Sequence, residues 1–147
     1  MLFVMFAVAC SSPEQAKDKT DFYEEEEIIA LEQSENDKLF AEVMAIHDEV
    51  MPEMGSIRRT RKGLLDKLEH TSDEAVGKLL QEQADKLNES HEAMMGWMRQ
   101  FNPNQDSAVS DSAYYVYLLD QKQKMIEVRD LMVNSLNEGK ALLGNGD

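Results

Sequence analysis

From Asp37 onward the chain alternates apolar and polar positions with the period of a helix. Phe40, Val43, His47, Val50, Met54, Ile57, Arg61, Leu64 and Leu68 succeed one another at spacings of 3 and 4 without a slip. Such spacings put all nine on one stripe of an α-helix, and a stripe sustained this long is the signature of left-handed packing against partner helices. Pro52 falls inside it. Proline cannot donate to the carbonyl of Asp48 and its ring crowds that carbonyl, so a kink is expected there, with Gly55 adding freedom. Because the phase survives across Pro52, the pattern predicts one kinked helix over 37–69.

The run "HTSDEAV" at 70–76 then reads as a turn and restart, with Thr71 and Glu74 in the S/T-x-x-E spacing of a capping box. Leu80, Ala84, Leu87, His91, Met94, Met98 and Phe101 step by 4 and 3 and predict a second helix over 73–101. "NPNQDSAVSDS" at 102–112 is a second turn. Tyr114, Leu118, Gln121, Met125, Val128, Met132 and Ser135 mark a third helix over 111–143, and "LLGNGD" supplies a glycine stop. The expected fold is all-α: an antiparallel up-down-up three-helix bundle of coiled-coil character, with long helices and a proline kink in the first.

Upstream of this unit the pattern fades. "SSPEQAKDKT" at 11–20 is a solvated tether, and the acidic run Glu24–Glu27 is a solvated face. Residues 10–36 are therefore expected to be a tether holding at most a short helix, broken at Ser34–Asp37. At 147 residues, with 42% hydrophobic and 30% charged positions, the chain suits one helical domain over 37–143. The balance of 15 basic against 29 acidic residues gives a net charge of −14, which repels phosphate backbones, so no nucleic-acid partner is expected.

Cys10 is the only cysteine, which excludes an intrachain disulfide and a cysteine-based metal site. Its setting is informative. "MLFVMFAVAC" is an uncharged apolar run with small residues at Ala7 and Ala9, and it resembles the end of a bacterial lipoprotein signal peptide. That resemblance implies a leader over 1–9, cleavage before Cys10 and a lipidated Cys10 that anchors the chain to a membrane. The location it implies is the bacterial cell envelope, at the outer membrane, with periplasm-facing and outward-facing placement both open. Ala7 stands where leucine is commoner. A basic n-region is absent, the pattern of a leader whose start codon lies upstream.

Two stretches carry candidate chemistry. "MAIHDEVMPEM" at 44–54 and "SHEAMMGWM" at 90–98 each hold one histidine and three methionines. If the first two helices fold back at 71–72, residues at one height have numbers that sum to about 143. His47, Met51 and Met44 would then face the turns of His91, Met94, Met95 and Met98. Thioether and imidazole donors suit Cu(I), and a His/Met pair can hold haem iron axially, so a copper or haem layer is one reading. The plainer reading is packing, since methionine fills irregular gaps beside a proline and both histidines occupy seam positions. The same height rule sets Arg61 of "RRTRK" against Glu82 and Arg58 against Asp85, as interhelical ion pairs that fix register. No G-x-S-x-G elbow or phosphate loop occurs, and a narrow bundle leaves little room for a small-molecule substrate. No enzyme is expected.

"VMAIHDEVMPEMGSI", "MMGWMRQF" and "YLLDQKQKMIEV" resemble a family of small bacterial lipoproteins often labelled "viral A-type inclusion protein". The likeness runs from about Leu39 to Leu143, with H-D-E-V-M-P and W-M-R as its most specific parts. It implies a lipid-anchored helical envelope protein and brings no activity with it; the role expected for the chain as a whole is structural or protein-binding, with an envelope protein as partner. The likeness implies no catalytic residue.

Overall fold

A computed structural model describes residues 19–104 and 110–144, and its regular structure is helical throughout. The elements are α1 (Lys19–Val50), a 3-10 turn (Met51–Glu53), α2 (Met54–Glu69), α3 (Glu74–Gln100) and α4 (Asp111–Leu143). The leader, Cys10 and the tether as far as residue 18 lie outside the described residues.

Two expectations about boundaries are corrected. The acidic stretch after Lys19 is not a tether with a break at Ser34–Asp37: α1 runs through it without interruption. Ser, Asn and Asp each cost a helix interior only a few tenths of a kcal/mol, so a local break signal is easily overridden by packing. Asn36 is buried and donates through Nδ2 to the carbonyl of Asp111 at 3.1 Å, while Leu39 is buried beside Tyr114 and Leu118. Those contacts hold the helix through the suspected break.

The start of α3 also differs. Asp73, not Thr71, is its N-cap, and Asp73 Oδ1 accepts from the backbone N–H of Ala75 at 2.9 Å and of Val76 at 3.1 Å. A carboxylate there meets both orphan donors and the positive helix end. Thr71 instead closes the preceding helix, its N–H donating to Leu68 O. At the other end of the chain Gly144 takes φ 77°, a left-handed conformation that glycine adopts at no steric cost.

At Pro52 the ladder changes character. Val50 has φ −106° and ψ −16°, and three residues of 3-10 turn separate α1 from α2. Proline supplies no N–H, so the α-helical bond to Asp48 is missing and the tighter turn takes over.

Contacts fix how the helices lie. Asn36 meets Asp111, Glu42 pairs with Lys122 at 2.7 Å, and Lys67 Nζ donates to Leu142 O at 2.8 Å. Between α3 and α4, Lys86 pairs with Glu138 at 3.0 Å and Phe101 stacks on Tyr117.

The interior differs along its length. Around α2, α3 and α4 small residues allow close approach. A Cβ on Gly139 would lie 2.8 Å from Thr60 Cγ2 and 3.0 Å from Leu87 Cδ1. Ser90 and Ser135 are buried there, Ser135 Oγ lying 3.1 Å from Ser90 Oγ, and Gln83 Nε2 donates to Ser135 O at 2.7 Å. Ile57, Leu64, Leu80, Leu87, Met125 and Met132 are sealed from solvent, and each such side chain contributes about 1.5–3 kcal/mol of transfer free energy. Along the second half of α1, from Leu39 to His47, the filling is largely aromatic. There α1 packs mainly on α4 and reaches α3 through large side chains, His47 on Trp97 and Phe40 on Phe101.

Candidate functional site

His47, near the end of α1, has a side chain only 15% exposed, and its ring lies 5.6 Å from the Trp97 ring, tilted by 33°. Its Nδ1 is 2.8 Å from Asp48 Oδ1. An ionised carboxylate can only accept, so Nδ1 carries the proton in that bond and the neutral ring presents its lone pair at Nε2.

From His47 an aromatic series runs across the bundle. Trp97 stacks on Phe101 with centroids 4.7 Å apart, Phe101 meets Phe40 at 6.0 Å and Tyr117 at 6.2 Å, and Tyr117 meets Tyr114 at 6.1 Å. These separations are those of favourable aromatic pairs. The tyrosines also hold the end of α3: Asn102 N donates to the Tyr117 hydroxyl at 2.8 Å, and the Tyr114 hydroxyl donates to Pro103 O at 3.3 Å. Sequence periodicity singled out Tyr114 and Phe101 but missed Tyr117 and Trp97. The available signal was aromatic spacing, Trp97 to Phe101 at i+4 and Tyr114 to Tyr117 at i+3, which places each pair on one helix face.

The other predicted donors divide. Met94 is fully buried in the core, with Met95 and Met98 packed against it at partial burial. Met51 is 37% exposed. His91 is half-buried, with its ring nitrogen 3.5 Å from Glu92 Oε1 on the same helix. The structure therefore brings His47 to the expected height on α3, against Trp97, while His91 finds its partner on its own helix. The His47 ring lies against Trp97, whose ring in turn stacks on Phe101. Among the described residues no three His, Cys, Asp or Glu side chains gather as a metal site, so soft-metal binding would rest on thioethers.

The predicted interhelical ion pairs do not form. Glu82 pairs along its own helix with Lys78 at 3.8 Å, and Asp85 accepts from Gln81 at 2.9 Å. Arg58 is exposed, and Arg61 is half-buried with Nε enclosed and without a hydrogen-bond partner. Equal height was not enough, because an i+4 neighbour lies nearer than a residue across the interface. Within the same basic run, Lys62 is held above the usual lysine range by its 2.6 Å hydrogen bond to Asp66 and then by that carboxylate's charge.

Two surface grooves accompany this layer. One, of about 320 Å³, lies between α3 and α4 and is lined by Ala93, Trp97, Gln121, Lys124, Val128 and Leu131 among others. The second, of about 420 Å³, lies where α1 meets the start of α4, between Leu31, Asn36, Tyr115 and Val116. Leu31 is 61% and Val116 64% exposed, so this end carries apolar surface. No protein-family model, curated protein or solved structure matches the chain.

Proposed function

We propose that the protein is a lipid-anchored, non-enzymatic module of the bacterial cell envelope with a structural or protein-binding role. The observation that carries this reading is the run "MLFVMFAVAC" followed by the polar "SSPEQAKD", a lipoprotein leader and its first mature residues. The attached unit is an up-down-up antiparallel bundle bent at Pro52, with the lipid on Cys10 holding it at the membrane. Among the described residues no helix is long and apolar enough to cross a membrane. The helical lead over residues 19–35, about 25 Å long at ~1.5 Å per residue, then serves as a spacer between anchor and bundle. A protein-binding role draws support from the exposed Leu31, Tyr115, Val116 and Leu119 near the start of α4, since clustered apolar surface marks contact sites.

Radiolabelled palmitate incorporation in a bacterial host tests the anchor. Label is expected in the wild-type chain and absent from Cys10→Ser, with the variant released to the soluble fraction. Equal labelling of both, or none of either, ends the reading. The contact role is tested by crosslinking in intact envelopes, where Val116→Asp is expected to remove an adduct that the wild type gives.

A further inference from the structure

We infer that Met44 and His47 of α1, together with Met51 at the start of the 3-10 turn that follows it, form a binding site for a soft monovalent cation, Cu(I) or its analogue Ag(I). The three residues stand at i−3, i and i+4, so they follow one another up a single helix face. Side chains of an α-helix lean toward its N-terminus, which carries His47 back toward Met44, while Met51 follows one turn further along the chain. Two thioethers and an imidazole form a donor set that selects Cu(I) and is ill suited to Mg(II) or Ca(II).

Two features of His47 and one of Met51 fit the role. His47 Nδ1 is engaged by Asp48 Oδ1 at 2.8 Å, the outer-shell arrangement that orients a metal-binding imidazole and leaves Nε2 as the donor. The ring of Trp97 lies 5.6 Å from that of His47, so a cation held by His47 would sit close to an indole. Access is available as well, because Met51 is 37% exposed at the start of the 3-10 turn, where the backbone leaves the α-helical path. The site is thus narrower than the two-helix layer expected from the sequence. His91, whose ring nitrogen faces Glu92, lies outside it.

The test uses the full chain in detergent with Cys10→Ser, so that the one thiol cannot compete. Ag(I), and separately Cu(I) under anaerobic conditions against a competing chelator, are titrated while the emission of Trp97, the only tryptophan, is followed. Saturable quenching at about one ion per chain is expected, weakened at least about tenfold by Met44→Leu/Met51→Leu and by His47→Gln, and unchanged by His91→Gln. Leucine nearly conserves methionine's volume, and circular dichroism establishes that each variant is folded. Met51→Leu alone, at an exposed position, gives a further variant that leaves the core intact. Absence of quenching overturns the assignment, as does quenching that is unaltered in the methionine double variant. A loss in His91→Gln equal to that in His47→Gln overturns the single-helix site.

Discussion

Replacing Gly139 by alanine sets two effects against each other. In a helix interior alanine is favoured over glycine by about 0.5–1 kcal/mol, and Gly139 lies within α4. The new methyl, however, would sit 2.8 Å from Thr60 Cγ2 and 3.0 Å from Leu87 Cδ1, against an optimal carbon–carbon separation of about 3.5–4.0 Å. Leu87 can yield, because its methyl is the far end of a flexible chain. Thr60 is buried and β-branched, with little freedom at χ1, so the backbones of α2 and α4 must part. Overpacking of this kind costs about 1–3 kcal/mol, which exceeds the propensity gain. Gly139→Ala is therefore expected to destabilise by about 1–2 kcal/mol. Thr60→Ser removes the opposing methyl while keeping the hydroxyl, so the double variant Thr60→Ser/Gly139→Ala should recover most of the loss, with a coupling of about 1 kcal/mol or more. Urea unfolding read both by circular dichroism and by Trp97 emission measures all four corners of the cycle. If Gly139→Ala is as stable as the wild type, or the two substitutions simply add, α4 does not approach Thr60 as closely as described.

Three further outcomes are expected. Asp73→Ala removes the acceptor for Ala75 and Val76 N–H and should lower stability by about 1 kcal/mol, with Asp73→Asn largely restoring it in the same urea assay. Ser90→Ala and Ser135→Ala each break the buried hydroxyl contact between α3 and α4, so the double variant should lose less than the sum of the singles; strict additivity would show that the hydroxyls do not interact. Tyr117→Phe keeps the ring stack but leaves Asn102 N without its acceptor, and should cost about 0.5–1.5 kcal/mol, with faster amide exchange at Asn102 as the local readout.

The 3-4 spacing alone determined much of this molecule. All seven stripe residues expected on α4, from Tyr114 to Ser135, are buried, and on the first stripe Val43, Val50, Met54, Ile57 and Leu64 are too. Apolar period is legible because it reports which residues avoid water, whatever they pack against. On α3 it was ambiguous. Leu80, Leu87, Met94 and Phe101 fit two interleaved patterns, one completed by Ala84, His91 and Met98, the other by Gln83, Ser90 and Trp97. The structure buries Gln83, Ser90 and Trp97 and leaves His91 and Met98 at the margin.

That choice belongs to tertiary structure, because a helix with two neighbours buries a band wider than one stripe. Which flank is covered depends on the angle at which the second neighbour arrives. The same limit explains the candidate site. Sequence arithmetic gave His47 its height on α3, within a residue of Trp97, yet height carries no information about direction around the helix axis. Direction decided that His47 meets Trp97 and Asp48, that His91 turns to Glu92, and that Glu82 and Asp85 bond along their own helix. The sequence by itself determined that the chain folds as long helices sharing an apolar seam and that His47 stands level with the Trp97 turn. Only tertiary structure decided which side chains meet there, since contact requires both height and azimuth; the turn arithmetic supplies the first, and periodicity fixes the second only to within a band wider than one stripe.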